Sequence, residues 1–172
     1  MYEESIDNIS TLDDSFQIEK YNQSLLFKIS SILSKIISQN ESFPQSSVFS
    51  ANEPPKISLF DYLTRIKTYG EISDSTLVLS LILIDRFCEM NSVLLTAYNI
   101  HKILFVSVLI SVKYNEDIFY DNVFYAELGG VSLKELNTIE NTFIDMINFN
   151  LYVDSTIYEK YVKYFKSLDK VK

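Results

Sequence analysis

Leu77-Val78-Leu79-Ser80-Leu81-Ile82-Leu83-Ile84, closed by Asp85-Arg86-Phe87, and Ile103-Leu104-Phe105-Val106-Ser107-Val108-Leu109-Ile110-Ser111-Val112, closed by Lys113-Tyr114, are the two stretches on which the fold turns. Each is apolar on every face of a helix, so each must be surrounded by protein or by lipid. The uncharged windows run only from Ser75 to Ile84 and from Ile103 to Val112. Both are well short of the roughly 18 to 20 residues that cross a bilayer. The two runs are therefore expected as core helices of a soluble all-α domain, and the charges that close them mark where that core meets the surface.

Outward from these runs the helix signals are regular. Thr11-Leu12-Asp13-Asp14 reads as a capping box. Ile18, Tyr21, Leu25, Ile29, Ile32 and Ile36, widened by Leu26, Leu33 and Ile37, then form an amphipathic stripe to about Ser38 that is expected to pack on the main domain. Gln39 to Lys56, rich in Ser, Asn and Pro, reads as a linker across the surface. Ser58-Leu59-Phe60-Asp61 caps a helix that Gly70 is placed to end. Ser73 opens the first buried helix, to about Glu89, and Thr96 the second, to about Tyr114. Asp121 to Gly129-Gly130 is a short helix with a glycine stop, and Ser132-Leu133-Lys134-Glu135 is a capping box for the next. A last helix starts near Asp154. The expected architecture is an N-terminal helix, a linker, five helices packed around one central helix, and a C-terminal helix.

The 172 residues are 47% hydrophobic and 22% charged, with only three Gly and three Pro, which excludes overall disorder and argues against a turn-rich β fold. Fifteen basic residues against 23 acidic ones give a net charge of −8. No basic stripe is visible, so nucleic acid is not an expected partner, whereas the charge suits a basic protein partner or simply solubility. The lone Cys88 allows no disulfide within the chain, and Met1-Tyr2-Glu3-Glu4 is acidic where a signal peptide is basic. The expectation is an intracellular protein, cytoplasmic and/or nuclear, with no membrane segment.

Chemistry of other kinds finds no residues to carry it. One His and one Cys cannot build a typical zinc site. His101, inside the second buried helix beside Lys102, reads as a packed helix residue rather than a base. No phosphate-cradling glycine loop occurs, and carboxylate pairs such as Asp13-Asp14 and Glu116-Asp117 read as solvated surface. No catalytic residue, metal or cofactor is expected.

The residues around the buried runs carry a resemblance. Asp85-Arg86-Phe87, Ser111-Val112-Lys113-Tyr114-Asn115-Glu116-Asp117, Phe124-Tyr125-Ala126-Glu127-Leu128-Gly129-Gly130-Val131-Ser132-Leu133-Lys134-Glu135-Leu136-Asn137 and Ile139-Glu140-Asn141-Thr142-Phe143 together resemble a cyclin box. They are similar to the P- or U-type cyclins related to the yeast phosphate-pathway cyclin. The tyrosine–alanine, glycine–glycine and leucine–asparagine–glutamate pattern is specific to that group, and Ile57-Ser58-Leu59-Phe60-Asp61-Tyr62-Leu63-Thr64-Arg65-Ile66 matches its first box helix. The resemblance covers about Pro54 to Val153. It divides the chain into an N-terminal extension (1–45), a linker (46–56), a single five-helix cyclin box (57–153) and a C-terminal helix (154–172).

The resemblance implies a regulatory, activating subunit of a cyclin-dependent kinase, in the setting of cell-cycle or phosphate-pathway control, with no active site of its own. Such a box holds the kinase's mobile C-helix where the kinase's Lys–Glu ion pair is completed. The family's helix-three lysine falls on Lys113 and its helix-five glutamate on Glu140, and in the family these reach the kinase backbone. An ammonium donates to carbonyls and a carboxylate accepts from amides, so the two read main chain without demanding a particular side chain. Each also has a plainer role: Lys113 as a complement to a helix dipole, worth roughly 0.3–1 kcal/mol, and Glu140 as an ordinary surface residue. Within the matched pattern the kinase-binding role is favoured, with both side chains open to solvent in the free protein. Tyr114 packs against the kinase or seals the core, and Asp85 and Arg86 read as a polar plug ending a buried helix. Asn115 precedes Glu116-Asp117 where many cyclins carry two acids, and the substrate-docking motif of cell-cycle cyclins is not evident in Ile57 to Ile66. The alternative is a cyclin-fold adaptor in transcription assembly or nucleic-acid binding, like the box repeats of transcription factor IIB. A basic face and a second box would mark it.

Overall fold

The structure, a computed structural model, describes residues 25–40 and 46–170. Among them all regular structure is helical: α1 (25–39), α2 (Leu59–Gly70), α3 (Asp74–Asn91), α4 (Ile100–Asn115), α5 (Asn122–Gly129), α6 (Leu133–Met146) and α7 (Ser155–Ser167), with a 3₁₀ turn at Leu168–Lys170. The capping box at Thr11 and the stripe residues Ile18 and Tyr21 lie outside the described residues.

The helix starts follow side-chain chemistry that is local in sequence. Ser58, Ser73, Asp121, Ser132 and Asp154 each accept a hydrogen bond from a backbone N–H two or three residues on, satisfying a donor that the first turn leaves over. Two local expectations fail. The second buried helix starts at Ile100 rather than Thr96. The Asn99 side chain accepts from the Thr96 N–H at 2.8 Å and donates to the Leu94 carbonyl at 2.9 Å, which holds 94–99 as a turn. Helix α2 ends at Gly70 as expected, with Glu71 (φ 52°) as the left-handed cap after it. Asp85-Arg86-Phe87 does not end α3, which runs on to Asn91.

Helix α4 is the centre: every residue from Ile103 to Val112 is buried. Around it pack α3, α6, α2 and α5. Gly129 lets α5 come close, because a Cβ there would lie 2.3 Å from the Phe105 ring. Beside this core, Phe87 and Phe143 stack with centroids 4.6 Å apart, and Phe49 sits edge-on to both. Phe49 is 4% exposed. The segment read as a surface linker therefore contributes an aromatic plug to the core.

The stripe on α1 packs on the bundle as expected. Leu25, Leu26, Ile29 and Leu33 are buried in the common core. Lys28 Nζ donates to the Phe165 carbonyl at 3.0 Å and pairs with Asp169 at 2.6 Å, which ties α1 to the end of α7. Helix α7 packs against α3, and the Tyr161 hydroxyl donates to Asp85. Arg86 donates to the Asn150 carbonyl. These two charges are structural ties from the middle of α3, not a plug at its end.

Candidate functional site

Lys113 lies in the last turn of α4, where its charge complements the helix dipole, and Glu140 lies midway along α6. The packing of α6 on α4 brings them together, with Nζ 2.5 Å from Oε1. The second carboxylate oxygen accepts from the Asn122 side chain at 2.8 Å, and the same amide donates to Asn137 Oδ1 at 2.7 Å. Asn122 is the first residue of α5, so three helices meet at one carboxylate.

This geometry corrects one expectation. Glu140 is 8% exposed, a buried residue rather than an open surface one. Its burial follows from its register: it is next to the fully buried Ile139 and one turn before Phe143, at the margin of the face that α6 turns to the core. Lys113 is the more accessible partner, with 29% of its side chain exposed against 11% for Glu140. Tyr114 is 55% exposed and so does not seal the core. It borders a concavity with Leu79, Leu83, Ser111 and Tyr152.

The segment leaving α4 at Asn115 and entering α5 at Asn122 is unusually apolar for exposed backbone. Ile118, Phe119, Tyr120 and Val123 are 91%, 47%, 44% and 52% exposed. Ile118, Phe119 and Tyr120 border a concavity with Gly70, Glu71, Ile72 and Glu116, an exposed apolar surface of the kind that marks an interaction site, and the end of the segment at Asn122 reaches Glu140. The run Ile118-Phe119-Tyr120 ahead of the Asp121 cap is a readable signal for it, since loops without a partner are polar. Asn122 had no such signal.

The same segment is anchored by Glu116. Its Oε1 accepts from the hydroxyls of Ser73 at 2.7 Å and Thr76 at 2.5 Å, linking the end of α4 to the start of α3. These hydrogen bonds hold the Glu116 carboxyl below its ordinary range. Elsewhere, burial pushes the Cys88 thiol up to about 12, which leaves it an unreactive thiol. Among the described residues no group of three His, Cys, Asp or Glu could hold a metal, and no helix is long and apolar enough to cross a membrane.

The family model described as Cyclin matches residues 27–151. The chain is 33% identical over 141 residues to Cyclin-U4-2 of Arabidopsis thaliana, covering 77% of this chain and 65% of the relative. It is 31% identical to Cyclin-U2-1 of the same plant, covering 77% and 64%. To Cyclin-P4-1 of Oryza sativa subsp. japonica it is 36% identical over 122 residues, covering 70% and 58%. The chain thus spans somewhat under two thirds of the length of these relatives.

Proposed function

From the premise that this chain belongs to the cyclin family, among its P/U-type members, we propose that it is the activating regulatory subunit of a cyclin-dependent protein kinase. It has no catalytic centre of its own and works by docking against the kinase's C-helix. The observation that carries this reading is the Lys113–Glu140 pair, whose carboxylate is held by Asn122, at the end of the exposed apolar segment Ile118 to Tyr120. Apolar surface supplies the area that docking buries, and the two charges supply direction, a donor for main-chain carbonyls and an acceptor for main-chain amides. Tyr114, Lys113 and Glu140 are the proposed kinase contacts. Tyr114 offers an amphipathic ring of the type enriched at interface centres.

The test is reconstitution. Purified chain is titrated into cyclin-dependent kinases from its source organism with a protein substrate. One kinase should be activated and the chain alone should transfer no phosphate. Tyr114→Ala should weaken binding by about 2 kcal/mol or more, the cost of an interface hot spot, without lowering the melting temperature, because the ring is exposed. Inertness with every kinase of the class, or phosphoryl transfer by the chain itself, defeats the reading. Submicromolar binding to DNA or RNA at physiological salt would favour the adaptor reading instead.

A further inference from the structure

A cavity of about 360 Å³ lies where α2, α4, the end of α5 and the start of α6 meet, bordered by residues of the segment 51–57. That is the size of a small-ligand site. Its polar wall is Asn52, Arg65 from α2, His101 and Lys102 from α4, and Glu135 from α6. Lys102 and Glu135 neutralise each other at 2.6 Å, and Lys102 also donates to the Ser50 carbonyl at 3.2 Å. Glu135 thereby leaves the capping box half made.

Arg65 is different. Among the described residues it has no carboxylate partner, and its buried Nε–H meets no acceptor. In a chain with 23 acidic residues to 15 basic ones, a guanidinium left without an acid stands out. It is also oriented. The guanidinium lies over the Tyr62 ring, 5.2 Å from its centroid, and the Tyr62 hydroxyl is fixed by donating to the Gly129 carbonyl at 3.0 Å. A planar fork of donors held on a fixed ring suits a carboxylate or a phosphate.

His101 adds a second orphan. Its Nε2 faces the Ile57 carbonyl at 3.1 Å. A carbonyl only accepts, so Nε2 carries the proton and Nδ1 is left as a bare acceptor. That buried Nδ1 meets no donor. Burial holds the ring's pKa below the ordinary imidazole value, which keeps it neutral at pH 7. The wall thus offers one cation without an acid, while His101 Nδ1 is closed off from it.

We propose that this cavity binds a small oxyanion, its carboxylate or phosphate taken by Arg65. The apolar wall of Tyr62, Phe105 and Ile139 faces the remainder of the ligand. The site is independent of the kinase reading, since none of its residues belongs to the Lys113–Glu140 surface.

The test is titration of the full chain with glycerate, glycerol 3-phosphate and inorganic phosphate, followed by NMR at the Arg65 Nε–H and the His101 ring. At least one should give a saturable shift at both groups. Saturation by inorganic phosphate identifies the free ion as sufficient, and saturation by an organic anion alone identifies a ligand with a carbon body. Arg65→Gln should weaken that binding about tenfold or more, the worth of a charge-assisted bidentate contact. Arg65→Lys keeps the charge but loses the fork, and serves if the glutamine variant unfolds; it should weaken binding several-fold. No saturable response to any of the three at millimolar concentrations, or an affinity unchanged in a folded Arg65 variant, overturns the proposal.

Discussion

Lys113→Ala removes the counter-charge of a carboxylate that the fold has buried, and its cost follows from the two exposures. Removing one partner of a fully buried ion pair costs about 3–5 kcal/mol, whereas exposed pairs contribute about 0.2–1 kcal/mol. With side chains 29% and 11% exposed, this pair falls between the limits. Lys113→Ala leaves Glu140 buried with Asn122 as its remaining donor, and the expected loss is about 1–2.5 kcal/mol. Glu140→Ala leaves the lysine, which reaches water more easily, so its electrostatic cost is the smaller of the two. The double variant should cost less than the sum of the singles by about 1 kcal/mol, the coupling expected of residues in direct contact. At about 2–4 °C per kcal/mol for a chain of this size, Lys113→Ala should lower Tm by about 2–10 °C. Thermal and urea unfolding of the parent, both single variants and the double variant, at one salt concentration, closes the cycle. If both singles fall within about 0.5 kcal/mol of the parent, the range of ordinary surface changes, the pair holds no structural energy and the reasoning from burial is refuted.

Gly129→Ala would drive a Cβ to 2.3 Å from the buried Phe105 ring; the expected cost is about 1–3 kcal/mol, and a Tm equal to the parent's in calorimetry would show that the helices can separate freely. Glu71→Gly relieves a left-handed backbone at φ 52° and should raise stability by about 0.5 kcal/mol, the αL penalty less the entropy that glycine adds to the unfolded chain; a loss of stability in urea melts counts against it. Glu116 has a lowered native pKa, so its contribution is present above its ordinary value of 4.5 and is lost as pH falls through that value and past the native one. Glu116→Gln should flatten the fall in stability as pH drops from about 5 through 4.5 and below, and an unchanged slope in melts across that fall would remove Glu116 from the acid response.

The sequence by itself determined what depends on neighbours within a few residues. Ile103 to Val112 is apolar all round, and a helix with no polar face has to be central, which is where α4 lies. The caps at Ser58, Ser73, Asp121, Ser132 and Asp154 were readable because a capping side chain reaches only two or three residues along its own chain. Thr96 misled because its hydroxyl accepts from the Tyr98 N–H while the Asn99 side chain accepts from the Thr96 N–H, and together they close a separate turn before the helix begins. What only the tertiary structure decided lies between helices. Glu140 and Lys113 could be named from a motif, but their pairing across 27 residues, and the Asn122 amide that completes it, depend on how α6 and α5 cross α4. Phe49 could not be separated from a polar linker until the gap beside Phe87 and Phe143 existed for it to fill. Arg65 read as one residue of a matched helix until Tyr62, Gly129 and His101 were assembled around it. A hydrogen bond within one turn is set by backbone geometry common to every helix, whereas a contact between helices depends on crossing angles set by the packing of the whole core.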